Sequence, residues 1–269
     1  MCNGSIMDKL ISFALPLMLS GVLQLMFNAV DIIVVGRFSG SQALAAVGST
    51  TALIAVFTNL FIGISLGANV LGARFYAAGR DKEMSETVHT AITLALISGI
   101  AMAFIGVLFA RGALELMGTP DDVIRLSTLY MRIYFCGMPF FMLYNYGAAI
   151  LRAVGDTKRP LIFLLISGST NAVLNLVMVI KFDLGVAGVG IATVISQMIS
   201  CVLVLRCLHK SDSSYQLRFS KLTLKKNHLK QIFQVGIPAG IQSTVINFSN
   251  VLLQSSVNSF GSIAMAGYT

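Results

Sequence analysis

Charge is scarce in this sequence. Only 11% of its 269 residues are Asp, Glu, Lys or Arg, whereas about 25% is usual in a soluble domain. Hydrophobic residues supply 56% of the chain, and the mean hydropathy is +0.82. A chain of this length could bury a large core, but it lacks the charged surface that a soluble enzyme or a disordered protein carries. The composition therefore indicates a polytopic membrane protein.

Residues for metal sites, disulfides and catalysis are also few and scattered. Neither the four cysteines nor the three histidines have ligand or CxxC spacing, so we expect no disulfide framework and no metal site. The sequence has no nucleotide-binding loop, nucleophile elbow or metal-ligand cluster, so we expect neither enzyme activity nor a cofactor. The net charge of +8 comes from few charges in short loops, which disfavours a nucleic-acid partner. The cysteines are Cys2, Cys136, Cys201 and Cys207.

Long apolar runs, by contrast, follow one another along the whole chain. A helix needs about 20 apolar residues to cross the hydrocarbon core of a bilayer, and backbone groups in lipid must be satisfied within the segment. The sequence therefore predicts an all-α membrane protein. Pro16 and Pro139 lie inside spans, where they loosen or kink helices. The predicted spans are Leu10–Val35, Ala45–Leu71, Val88–Phe109, Val123–Leu151, Pro160–Ile180, Val186–Leu205 and Ile232–Val257, followed by an apolar start at Ile263–Tyr268.

The distribution of basic residues predicts the topology. Most of the 19 Lys and Arg residues fall on the inner side if the N-terminus is cytoplasmic, as the positive-inside rule requires. We therefore expect a multi-pass protein of the cytoplasmic membrane with a cytoplasmic N-terminus. The longest loop, 206–231, is basic and is predicted to be a cytoplasmic linker that touches anionic lipid headgroups.

Segment 11–45 resembles segment 233–266, which indicates an internal repeat. Each segment has a Pro near its start and an Asn in its middle, such as Asn28 and Asn250. Each then has a turn with Phe, Gly and Ser, after which the next apolar run begins with small residues. The repeating unit would be six helices, so both units start on the same side and the repeats are parallel. This predicts a six-helix lobe (1–205), the linker (206–231), and the start of a second lobe (232–269) whose remainder is missing.

One ionisable side chain lies deep inside an apolar span. Asp31 shares a helical face with Ser20, Gln24 and Asn28, because their spacings are four, four and three residues. A charge in the bilayer is costly and usually functional, so Asp31 is a candidate coupling residue. For Ser20 and Gln24, hydrogen bonding between helices explains the pattern equally well.

Two later spans carry matching polar faces. Asn171 and Asn175 lie on the fifth span, and Thr193 and Gln197 on the sixth. With Asp31, these groups would form an oxygen-rich pocket that holds a proton or a Na⁺ ion among hard donors. The candidates for a substrate cavity beside it are Gln24, Asn28, Tyr130 and Gln197.

In order along the chain, these stretches resemble the multidrug and toxic compound extrusion (MATE) transporters. The resemblance implies half of a twelve-helix fold with two six-helix lobes, a drug-sized cavity, and export driven by H⁺ or Na⁺ antiport. The matching stretches are LPLMLSGVLQLMFNAVDIIVVGRFSGSQALAAVG (15–48), GISLGANVLGARFYAAG (63–79), YMRIYFCGMPF (130–140), ILRAVGDTKRP (150–160), NAVLN (171–175) and GVAGVGIATVISQ (185–197).

The resemblance also suggests individual roles. Asp31 stands at the acidic position of the first helix that family members use for cation coupling. Asn171 and Thr193 match an amide and a hydroxyl of the same site, and Tyr130 matches a nearby tyrosine. Asn175 is a departure, because many members have Asp there. One carboxylate instead of two puts a two-carboxylate Na⁺ site in doubt.

Three functions fit a membrane protein of this pattern. The leading hypothesis is a cation-coupled exporter of amphipathic, often cationic, organic compounds, whose partners are those compounds, the bilayer and the missing C-terminal lobe. A lipid-linked oligosaccharide flippase ranks lower, because its polyanionic cargo requires several cations inside the cavity and Arg132 is the main intramembrane candidate. A channel or a scaffold ranks lowest, because neither charge rings nor a filter-like loop is present.

Overall fold

The computed structural model describes residues 6–268, which are built from helices joined by short turns. Cys2 lies outside the described residues. The helices are α1 (Ile6–Phe38), α2 (Ser41–Ala77), α3 (Asp81–Leu116), α4 (Asp121–Cys136), α5 (Met138–Ala153), α6 (Lys158–Leu176), α7 (Gly185–His209), α8 (Lys226–Asn258) and α9 (Ser262–Tyr268). A π-helical turn (Val177–Lys181) continues α6, and a short 3₁₀ turn (Phe219–Lys221) precedes α8.

Five of these helices, α1, α2, α3, α6 with its π-helical turn, and α7, are long and apolar enough to cross a membrane. The pair α4 and α5 makes a sixth span if the two are counted as one bent helix. The six spans coincide with the first six predicted from the sequence. The predicted seventh, Ile232–Val257, is helical as the central part of α8, but α8 is not among these apolar spans in the described part of the chain.

The fourth predicted span, Val123–Leu151, is broken in two. The axes of α4 and α5 differ by 49° at Gly137. Pro139 occupies the first turn of α5, where its missing N–H leaves no helical bond unmade, and the N–H of Phe140 and of Phe141 both donate to the Gly137 carbonyl. The bend lies where the sequence placed a proline kink. Pro16 differs, because α1 runs through it unbroken.

The internal repeat extends to the backbone. Gly40 connects α1 to α2 with φ of 86°, and Gly261 connects α8 to α9 with φ of 89°. Such positive φ values suit glycine because it has no Cβ. These two glycines are the pair that the repeat aligns, so the two helix pairs turn the chain in the same way.

Helix α2 lies at the centre of the packing and contacts α3, α4, α5 and α8. Its contact with α8 is unusually close: a Cβ on Gly63 would overlap the backbone of Gly240, and a Cβ on Gly67 would overlap the Ile232 carbonyl oxygen. Helices α8 and α2 are thus in direct backbone contact at these glycines. It packs on one side of the lobe, and its outer face leaves apolar side chains such as Val245 and Ile246 exposed.

The linker between α7 and α8 is shorter than the predicted 206–231, because both helices extend into it. The non-helical stretch lies between His209 and Lys226 and is packed against α3. The N–H of Arg218 donates to His89 Nε2 (3.2 Å), and the N–H of Lys225 donates to Thr90 Oγ1 (3.3 Å). A basic segment that looked like a solvated loop is therefore attached at two points.

Candidate functional site

The polar stripe of α1 faces a cavity inside the lobe. Ser20, Gln24, Asn28 and Asp31 all line this cavity, as their helical spacing predicts. Other residues of α1 point away from it and are exposed, for example Leu25 at 71%. The helix therefore separates an apolar outer surface from a polar inner one.

Asp31 begins a chain of hydrogen bonds that joins three helices. Its Oδ1 accepts a bond from Asn175 Nδ2 on α6. Asn175 Nδ2 also donates to Asn171 Oδ1 (3.2 Å), and Asn171 Nδ2 donates to Thr193 Oγ1 on α7 (3.4 Å). The Thr193 hydroxyl in turn donates to the Val189 carbonyl (2.9 Å). The candidate coupling residues thus form one connected network.

The network is largely shielded from solvent. Asn175 is 0% exposed and Asn171 is 6% exposed, whereas Asp31 is half-buried and reaches the cavity. Asn175 Oδ1 is buried and accepts no hydrogen bond. A buried acceptor without a donor is costly, so this oxygen is ready to receive a proton donor or a cation.

The cavity measures about 590 Å³, and its wall is both apolar and polar. This volume suits a drug-sized molecule. Tyr130 and Tyr134 of α4 lie in the wall with ring centroids 6.2 Å apart. The structure brings together the predicted residues Gln24, Asn28, Asp31, Tyr130, Asn171, Thr193 and Gln197 in this wall, and places Asn175 behind Asp31.

Several cavity residues were not singled out from the sequence. Tyr134 follows Tyr130 by one helical turn, so the spacing could have revealed it. Asn59 of α2 and Asn145 of α5 also line the cavity. Each is an isolated amide within an apolar run, which indicates a cavity position less clearly than a repeated helical spacing does. Arg152 directly follows the predicted span Val123–Leu151, a place where a basic residue usually reports only topology, yet it lines the cavity.

The charges of the cavity wall are few. Asp31 is the one acid and Arg152 the one base among the described residues that line it. Arg132, which the sequence put forward as an intramembrane cation, is exposed and does not belong to the wall. No group of three possible metal ligands occurs within residues 6–268. A single arginine is still too little for a polyanionic cargo.

Comparison with known proteins identifies the family of this chain. A model of the MatE family matches residues 16–177, which is more than half of the chain. The chain belongs to the MatE family. The resemblance inferred from the sequence is therefore confirmed, and the matched region holds Asp31, the broken α4–α5 span and Asn175.

Relatives of this MatE chain have names that refer to multidrug resistance or multidrug export. The probable multidrug resistance protein YoeA of Bacillus subtilis (strain 168) is 35% identical over 265 residues, which are 95% of this chain and 57% of YoeA. The multidrug export protein MepA of Staphylococcus aureus (strain NCTC 8325 / PS 47) is 24% identical over 270 residues, which are 99% of this chain and 59% of MepA. The chain thus spans less than two thirds of these relatives.

Solved structures share the fold. An inward-facing MATE family transporter of the MOP superfamily has a TM-score of 0.85 at 23% identity, over 91% of this chain and 56% of that one. An outward-facing one has a TM-score of 0.83 at 23% identity, over 90% and 54%. These likenesses confirm the predicted fold class, an all-α six-helix lobe with a further helix, which is about half of a MATE-type fold.

Proposed function

We propose that this chain supplies one lobe of a proton-coupled antiporter that exports amphipathic, often cationic, organic compounds. The observation that carries the proposal is a single carboxylate, Asp31, at the meeting point of a drug-sized cavity and a buried chain of hydrogen bonds. An antiporter needs one group that responds both to cargo and to the coupling ion. Asp31 occupies that position.

The hydrogen-bond directions favour a proton as the coupling ion. Asn175 already donates to Asp31, and its own Oδ1 has no donor. A protonated Asp31 would gain an O–H that can donate to this Oδ1, so acid and amide would pair through two bonds. Protonation would also remove a charge whose burial in a membrane costs at least about 2.5 kcal/mol, which is enough to shift a balanced two-state equilibrium.

A sodium ion is the alternative within the same site. Asp31, Asn171, Asn175 and Thr193 offer the oxygen ligands that hard cations prefer. Only one of them carries a charge, however, and three of the oxygens already take part in hydrogen bonds within the network: Asp31 Oδ1, Asn171 Oδ1 and Thr193 Oγ1. The proton therefore ranks first, and the coupling experiment separates the two ions.

The membrane setting belongs to the same proposal. We place the protein in the cytoplasmic membrane with its N-terminus inside, on the distribution of Lys and Arg. We divide the chain into a first lobe (1–205), a linker region (206–231) and the start of a second lobe (232–269), supported by the repeated Gly40 and Gly261 turns. Two such lobes around a central site would allow alternating access.

The test measures dye efflux from proteoliposomes. The reconstituted protein contains this chain and has the full length of its relatives. Asp31→Asn should abolish efflux driven by a proton gradient, because an amide cannot bind and release a proton. Asn175→Ala should only weaken it. Thr170→Ala serves as the control, because this α6 hydroxyl donates to its own helix at Ile166 (2.8 Å) and lies outside the cavity wall.

Two results would contradict the proposal. Wild-type efflux with unchanged pH dependence in Asp31→Asn would show that Asp31 only joins helices. Efflux that follows a Na⁺ gradient at constant pH would assign the site to sodium instead of the proton.

A further inference from the structure

Arg152 is a cation in the cavity wall without an acidic partner among the described residues. It lies on the last turn of α5, and its buried Nε has no hydrogen-bond partner. Within residues 6–268 its guanidinium forms no ion pair. An arginine inside a membrane protein is costly unless something compensates its charge, so the missing partner calls for an explanation.

Two acids could compensate Arg152, one close to it in the sequence and one in the same cavity wall, and both are engaged elsewhere. Asp156, four residues further along the chain, pairs with Arg159 at 3.2 Å. Asp31, the other charged residue of the wall, accepts the bond from Asn175. The described part of the molecule therefore provides no counter-ion for Arg152.

The two charges lie near opposite ends of the cavity. Pro160 and Asn171 both line it, and they are eleven residues apart on the continuous helix α6, which corresponds to about 16 Å. Asn171 belongs to the Asp31 network, whereas Pro160 lies in the first turn of α6. Arg152 lies in the last turn of α5, at the other side of the short turn that joins the two helices. Apolar side chains cover the wall between them, including Leu17, Phe141 and Leu164.

We propose that Arg152 binds an acidic group, a carboxylate or a phosphate, of an amphipathic cargo whose apolar part lies along this wall. The inference rests on the proposed export function and defines its substrate class: molecules that combine an apolar body with an anionic group, zwitterions included. The planar guanidinium suits such a group, because it donates two parallel hydrogen bonds to a carboxylate or phosphate. The low dielectric of the cavity strengthens them.

The experiment compares two dyes that differ at one group. Rhodamine 110 carries a free carboxylate, and rhodamine 123 is its methyl ester with the same cationic ring system. Binding of each dye to the 269-residue chain in phosphatidylcholine nanodiscs is followed by fluorescence anisotropy. Arg152→Gln should weaken rhodamine 110 binding by about tenfold, which is typical of a lost charge-assisted hydrogen bond, and rhodamine 123 binding by less than about twofold.

Two further variants control the measurement. Arg152→Lys keeps the positive charge but loses the planar pair of N–H donors. Its affinity for rhodamine 110 should therefore lie between those of wild type and Arg152→Gln. Arg132→Gln removes an exposed arginine outside the cavity wall and should leave both dyes unaffected. Retained rhodamine 123 binding reports that a variant is folded.

The inference is overturned if Arg152→Gln weakens both dyes equally or neither. Binding of neither dye to the wild type would refute it together with the cavity as a cargo site. If the dyes are discriminated while proton-driven efflux fails, the substrate class stands and only the proposed coupling is wrong.

A lipid headgroup also carries an anionic phosphate that Arg152 could bind. A second series of binding measurements distinguishes a lipid from a cargo molecule. The binding series is repeated in nanodiscs that contain phosphatidylglycerol. We expect the rhodamine 110 affinity of the wild type to change as little as that of Arg152→Gln. A loss of several-fold confined to the wild type would assign Arg152 to a lipid phosphate and overturn its assignment to cargo.

Discussion

At Asn175, an amide stands where a second carboxylate is common in the family that this chain resembles. Its two N–H groups donate to Asp31 and to Asn171, so it holds the coupling candidate and the rest of the network together. A carboxylate at this position would remove both donors and add a charge next to Asp31. Two neighbouring carboxylates cannot both stay ionised in a buried site without a proton or a cation between them.

Asn175→Asp should therefore make the stability of the protein depend on sodium. Above neutral pH, Na⁺ between two carboxylates would favour the folded state by mass action. We expect the thermal midpoint of this variant to be about 3 °C or more higher in NaCl than in choline chloride, as about 1 kcal/mol of ligand binding produces. Wild type is the control and should show no difference, and equal midpoints in the variant would contradict this role of Asn175.

Single residues differ in how far the sequence reveals them. Asp31 is conspicuous because it is an acid deep in an apolar run, and helical spacing joins Gln24 and Asn28 to it. The pairing of Asp31 with Asn175 depends on the contact of α1 with α6, which a sequence without its fold does not give. Arg152 was missed because an arginine at the end of a span is usually a topology signal, and only the cavity distinguishes it.

The crossing of α2 and α8 depends on the absence of side chains. At Gly67 an added Cβ would overlap the Ile232 carbonyl oxygen, and packed cores resist such insertions at a cost of about 1–3 kcal/mol. Gly67→Ala should therefore lower the free energy of unfolding by about that amount. Its matched control is Gly112→Ala on α3, where nothing lies within 4 Å of the added atom.

The measurement is thermal or SDS-induced unfolding of both variants in the same detergent. Gly112→Ala should be neutral or stabilising by up to about 1 kcal/mol, because alanine favours the helix. If the two variants behave alike, the close approach of α2 and α8 does not contribute to stability.

Helices as elements follow from the sequence better than their ends do. The apolar run from Val88 predicts a span, but α3 begins at Asp81, since acidic residues favour a helix N-terminus and the helix continues beyond the apolar core. Pro139 predicts a bend in the fourth span, whereas the position of the bend at Gly137 depends on packing. There, an added Cβ would come within 2.9 Å of Val194.

At the scale of the whole molecule, one lobe should not transport alone. Alternating access requires a second body against which the first can move. Vesicles that contain only this 269-residue chain should show no dye efflux under a proton gradient, although the chain inserts and binds dye. Vesicles with the full-length multidrug export protein MepA are the control. Gradient-dependent efflux from the chain by itself would contradict the two-lobe requirement.

The attachment of the linker has a mechanical consequence. His89 and Thr90 are neighbours on α3, and they hold the backbone N–H groups of Arg218, in the middle of the linker, and of Lys225, directly before α8. The second half of the linker, 218–225, therefore forms a closed loop whose two ends meet on α3. The start of α8 is therefore held by α3 as well as by α2, on which it packs. The far end of α8 is attached as well, because Asn258 Nδ2 donates to the Met117 carbonyl (3.1 Å) just after α3. Helix α8 should therefore move together with this lobe as one rigid body.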